Sequence, residues 1–162
     1  MPKTIDFNGK PMTLHVGNLP SHQQDMALTG TIDGLFGMKK EIMLITSLGP
    51  TTAEGKPIGA YCGYLDNYTK HYPAFRKALE DNGLITPVLD ANGRPATKHL
   101  GGCDFPLVKF NREKLMEFDP KGCATYEQVS NRQRLINHTT EQVRARMDSM
   151  YGASPSDDGI GY

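Results

Sequence analysis

The segment Thr97-Lys98-His99-Leu100-Gly101-Gly102-Cys103-Asp104-Phe105 gathers an imidazole, a thiol and a carboxylate around a diglycine bend. These are the groups of metal ligation and of nucleophilic or acid–base catalysis. Glycine permits close backbone approach, so His99 and Asp104 could share a metal ion. Cys103 could instead be a nucleophile with His99 as its base. Two arguments oppose that reading. A free cysteine is more often a small buried hydrophobe, and the adjacent Asp104 carboxylate disfavours the thiolate. Among the other histidines, His71 reads as a solvated loop residue near Asp66, and His15 and His22 have no clear partner. His138 shares a polar stripe with Arg134.

Thr97, His99 and Gly102 resemble the opening of the metal-binding motif in zinc peptidases of the D-alanyl-D-alanine carboxypeptidase type. That resemblance implies a zinc ion held by His99. It ends after six residues, because the slots for the family's Ala and Asp ligand hold Asp104 and Pro106, and no second-histidine motif follows. The three cysteines, Cys62, Cys103 and Cys123, are odd in number and widely spaced, which argues against a disulfide framework or a structural zinc site. The chain also lacks a phosphate-binding Gly-x-x-x-x-Gly-Lys-Ser/Thr, a Gly-x-Gly-x-x-Gly, a Gly-x-Ser-x-Gly, a His-Glu-x-x-His and an EF-hand loop. No cofactor is expected. The two glycosylation sequons, at Asn67 and Asn137, read as chance matches.

Four arginines, Arg132, Arg134, Arg144 and Arg146, could grip phosphates by bidentate hydrogen bonds. Glu127, Glu141 and Asp148 interleave with them, so a solvated, salt-bridged helix face is the simpler reading. The 162-residue chain carries 18 basic and 18 acidic residues. It has no global field to attract nucleic acid or anionic lipid, and neither is expected as a partner. The longest apolar run, Ile42-Met43-Leu44-Ile45, falls far short of the roughly 20 residues that cross a bilayer. The opening MPKTIDFNGKPM has no apolar signal core, so a cytoplasmic, non-secreted protein is expected.

The elements that would position these residues follow from periodicity and turn chemistry. Thr4–Phe7 and Met12–Val16 flank Asn8-Gly9, and Pro87–Leu89 and Ala96–Leu100 flank Asn92-Gly93, which predicts two hairpins. Ser21 to Gln24 has a capping-box pattern and predicts a short helix over about 22–28. Lys40–Ser47 and Ile58–Leu65 read as strands around a loop over 50–57, and Phe105–Phe110 as a third. Tyr61, Tyr64, Tyr68 and Tyr72 read as core and rim packing. Pro73 opens a helix to Asn82, closed by Gly83 and Leu84. Asn111 caps a helix over about 112–118, which Pro120 stops.

The last helix is the clearest. Thr125 and Gln128 read as its cap, and Tyr126, Val129, Gln133, Ile136, Thr140, Val143, Met147 and Met150 alternate in steps of three and four. About 26 helical residues span roughly 39 Å, longer than a small domain is wide. The expected class is α+β: a single domain over 1–151 with an antiparallel or mixed sheet, Asn-Gly hairpins, a mid-chain helix and a long C-terminal helix over about 125–151. A polar tail follows over 152–162.

These features lead to a non-enzymatic, protein-binding subunit of a larger assembly, a virion-like particle for instance. Its partners would be copies of itself or other subunits, and Tyr126, Val129, Ile136, Val143, Met147 and Met150 its interface. The alternatives are a small metal-dependent or Cys/His hydrolase using His99, Cys103 and Asp104, and a nucleic-acid-associated module using the arginines of the last helix.

Overall fold

The protein is described by a computed structural model covering residues 3–151. In chain order its elements are β1 (Thr4–Phe7), β2 (Lys10–Asn18), β3 (Met26–Asp33), a 3₁₀ turn (Leu35–Gly37), β4 (Lys39–Met43), β5 (Ile45–Thr46) and β6 (Cys62–Leu65). Then come α1 (Tyr72–Asp81), β7 (Ile85–Pro87), β8 (Thr97–Leu100), β9 (Cys103–Phe110), α2 (Arg112–Phe118) and α3 (Pro120–Tyr151). The architecture is α+β, and both sheets are antiparallel. The proposed tail over 152–162 lies outside the described residues.

The first sheet is a meander in the order β1-β2-β3-β4. Its opening hairpin is the expected one: Asn8 and Gly9 take φ of 51° and 81°, the left-handed pair that a two-residue turn between twisted strands requires. Met12, Leu14 and Val16 alternate into the core from β2, as do Met26, Leu28 and Ile32 from β3. Gly30 sits in that inward row because Met12 occupies its space; a Cβ there would lie 2.3 Å from the Met12 sulfur.

The helix expected over 22–28 is absent. The chain turns there and enters β3, whose residues pair with both β2 and β4. A period-two apolar row buried from both neighbours outweighs a local capping pattern. The strand expected over Lys40–Ser47 divides into β4 and β5, which belong to different sheets. Leu44 lies between them, fully buried. Its N–H donates to Leu28 O (2.9 Å) in the first sheet, and its carbonyl accepts from Asp66 N (3.0 Å) at the end of β6.

The second sheet has the order β5-β6-β9-β7, with β8 paired to the first half of β9. The strand expected over Ile58–Leu65 is confined to Cys62–Leu65, and its residues are buried on both faces. One face joins the main core with α1 and α3, and the other closes a smaller cluster of Ile58, Cys62, Tyr64, Phe105 and Leu107. The second predicted hairpin pairs only at its base, where Ala96 N donates to Val88 O (2.7 Å), while Thr97–Leu100 pairs with β9 instead. Asn92-Gly93 sits in a wider loop, where Leu89 bridges Pro95 and only Gly93 has positive φ (75°). The tight hairpin is β8–β9, turned by Gly101 (φ 60°) and Gly102 (φ 81°).

Helix α1 closes as expected. Gly83 at φ 65° donates to Glu80 O (3.0 Å), and Leu84 N reaches back to Leu79 O (2.9 Å). Asn111 caps α2, its side chain accepting from Lys114 N at 3.1 Å. Pro120 does not stop the helical region but starts the next helix. It is the first residue of α3, where its missing N–H costs nothing. Thr125 and Gln128 are therefore inside α3 and do not cap it.

Candidate protein-interaction surface

Helix α3 has 32 residues, about 48 Å of rod. Its first half is built into the domain. Asp119 holds the start with both oxygens: Oδ1 accepts from Gly122 N (3.0 Å) in the first turn and Oδ2 from Val16 N (2.8 Å) on β2. Gly122 is required for this approach, since a Cβ there would lie 2.6 Å from the Val16 carbonyl oxygen. Cys123, Tyr126 and Ser130 are then buried. The Tyr126 hydroxyl accepts from Tyr61 N (3.1 Å), and Asn18 Nδ2 donates to Tyr126 O (3.2 Å) and to Gln23 O (2.8 Å).

Two further attachments complete the grip. Arg112 holds Glu127 through Nε and Nη2 at 2.9 and 3.2 Å, and the Tyr61 hydroxyl donates to the same carboxylate. These bonds, Arg112's first, hold the Glu127 carboxyl below the usual range. Farther along the helix, Ser130 Oγ donates to Gln24 O (2.6 Å) and Asn137 Nδ2 to Gln24 Oε1 (3.0 Å). The Asn137 bond is the last between α3 and the body among the described residues. Burial pushes the Cys123 thiol up to about 11, so it is an inert core thiol.

From Leu135 to Tyr151 every residue is exposed. Ile136 and Val143 keep 49% of their surface, Met147 52% and Met150 68%. At about 100° per residue, these four lie roughly 130° around the axis from the face of Cys123, Tyr126, Ser130 and Arg134. The residue row expected from sequence thus divides. Tyr126 is in the protomer's own core and Val129 is half-buried, while the apolar seam from Ile136 onward points away from the body. A straight helix gripped by one face cannot turn the other onto the same domain.

The other predicted residues lie elsewhere. His99 Nδ1 and Asp104 Oδ1 are 2.8 Å apart across the β8–β9 hairpin, with both side chains about two-thirds exposed (69% and 65%). Cys103 precedes Asp104 on the strand, so its side chain takes the opposite face, where it packs against the smaller cluster. The histidine is not brought to the thiol. Among the described residues no group of three His, Cys, Asp or Glu side chains is placed to hold a metal. A cleft of about 490 Å³ lined by Tyr61, Lys109, Arg112 and Glu113 contains none of the predicted catalytic residues. The four arginines do not converge: Arg134 is bonded to Ser130 and Gln24, and Arg132, Arg144 and Arg146 are exposed along the rod.

Three features were not read from the sequence. Asp119 and Gly122 anchor α3, and the dipeptide Asp119-Pro120, a cap before a first-turn proline, carries the signal that finds them. Asp25 is 3% exposed, and neither carboxylate oxygen has a hydrogen-bond partner among the described residues. Burial pushes its carboxyl above 3.8, against the pull of His22 and Arg134. Finally, the β3–β4 connection puts Leu35, Phe36 and Met38 in solvent, with Phe36 97% exposed at φ 58°. That tip lies beyond the Lys10 end of β2, opposite the Val16–Asn18 end that holds α3.

No helix among the described residues is long and apolar enough to cross a membrane. Comparison of the chain with protein-family models, with curated protein sequences and with solved structures finds no match in any of the three.

Proposed function

We propose that this protein is a non-enzymatic, protein-binding subunit of a larger assembly in the cytoplasm, docking through the free half of α3. The observation that carries the reading is the seam of Ile136, Val143, Met147 and Met150, exposed on a face that its own domain cannot reach. Isolated helices this short are marginal in water, and here Thr139, Thr140 and Val143 lower the intrinsic propensity further. Helix and seam are both stabilised when a second protein covers them. The apolar tip at Leu35 and Phe36, at the far end of the first sheet, supplies a second contact of the kind an assembly subunit uses. A virion-like particle is one assembly of that sort. The hydrolase alternative has behind it only a solvent-exposed His99–Asp104 pair, and the nucleic-acid alternative only dispersed arginines.

The test compares the full chain with a Val143→Lys/Met147→Lys variant, by light scattering alone and by titration with amphipathic helical peptides. The expected result is seam-dependent association, with itself or with a peptide, that the variant loses. A chain that stays monomeric to about 100 μM and binds no peptide sinks the reading.

A further inference from the structure

Resting on that reading, we infer that the occupant of the seam is an amphipathic helix of a different protein with acidic flanks, and not a second copy of this chain. The argument is the charge beside the seam. With Thr140 and Met147 at one core position of the three-four repeat and Ile136, Val143 and Met150 at the other, the flanking positions hold Arg132, Asn137, Thr139, Arg144, Arg146 and Tyr151. Three are arginine and none is acidic. Arg144 and Arg146 stand roughly 80° to either side of the seam's centre. Glu141 and Asp148 fall behind, roughly 120–140° away.

None of the three flanking arginines makes an ion pair among the described residues. Two copies of α3 laid seam to seam offer each other arginine, threonine, asparagine and tyrosine, and no carboxylate. Gln133 and Thr140 would also face their own copies in the core of a parallel pair, a further cost to self-association. A helix with glutamate or aspartate at its flanks meets an arginine on each side of the seam, and guanidinium binds carboxylate bidentately. The apolar tip is no better as a self partner. Its collar holds Lys10, Lys39 and Lys40 beside Asp33 and Glu41, with Lys39 paired to Asp33, so head-to-tail stacking offers the flanking arginines no net acidic surface.

The experiment titrates the full chain with two synthetic helices of about 21 residues, identical in their Ile/Leu core, one with Glu and one with Lys at every flanking position. We expect the Glu-flanked helix to bind about 10- to 30-fold more tightly, an advantage that shrinks in about 0.5 M salt. Arg144→Glu/Arg146→Glu, both at exposed positions, inverts the preference, and the unmixed chain is a monomer by light scattering. Equal binding of the two helices overturns the inference. So does a homodimer that Val143→Lys/Met147→Lys dissolves, although that result upholds the docking face itself. A monomer that binds neither helix sinks inference and docking face together.

Discussion

The two halves of α3 are one uninterrupted helix, yet they are held by different means. Up to Asn137 the helix has a capped start, a glycine pressed to a strand, three buried side chains and hydrogen bonds to the loop at Gln24. After it, hydrogen bonds stay inside the helix, as when the Thr140 hydroxyl donates to Ile136 O at 2.9 Å. The difference teaches that apolar spacing alone does not say what an apolar face is for. Tyr126 and Met147 fall in the same three-four row, but one fills a core and the other faces water. Tertiary anchors decide, and they lie outside the row.

Substitutions in the first half should then cost stability and those in the second should not. The largest effect is expected for Gly122→Val, which drives a side chain into the Val16 carbonyl and costs about 3 kcal/mol in chemical denaturation. Asp119→Ala should follow at about 2–3 kcal/mol, losing the cap and leaving Val16 N–H unpaired. A loss under about 0.5 kcal/mol in either would show that α3 is not anchored through this corner.

Asp25→Asn should act in the opposite direction. The folded protein holds the Asp25 proton more tightly than the unfolded chain does. The stability that goes with protonation is complete below the ordinary value of 3.8 and is lost as pH rises through the raised folded value. The asparagine variant should therefore melt higher at neutral pH, by roughly 1–2 kcal/mol or a few degrees, with the gain shrinking towards pH 3. A lower melting temperature at neutral pH would mean that the carboxylate is paired.

Glu127→Gln should cost at most about 1 kcal/mol, because half of the Arg112 side chain meets solvent. The smallest change should come from Val143→Lys/Met147→Lys, within about 0.5 kcal/mol of the parent protein. Amide exchange sharpens the contrast: protection should fall away past Asn137 in the free chain and extend towards Tyr151 when a partner helix is bound. Uniform protection along α3 in the free chain would break the comparison.

Elements with strong local chemistry were legible in the sequence. Asn8-Gly9, the Gly83-Leu84 helix end and the Asn111 cap each specify geometry within a few residues, and each is found as expected. What escaped depends on distant partners. Met26 to Asp33 is a strand because β2 and β4 flank it, and no local signal at Ser21–Gln24 reports that. Leu44 divides one apolar run between two sheets, a choice made by Leu28 and Asp66. In the candidate surface the row was named as one face, but the point where the body lets go of it, after the buried Tyr126 and half-buried Val129, was not. The grip on α3 comes from Asp119, Gly122 and Gln24, residues far from the apolar row in type.

Leu44 also bears on how the molecule comes apart. A chain that passes from one sheet to the next through a single residue, hydrogen-bonded to each, has no slack at the crossing. Neither sheet can peel off without breaking a Leu44 hydrogen bond and uncovering that buried side chain. Heating should therefore give one calorimetric endotherm for the body, with the free rod of α3 melting earlier and taking up little heat.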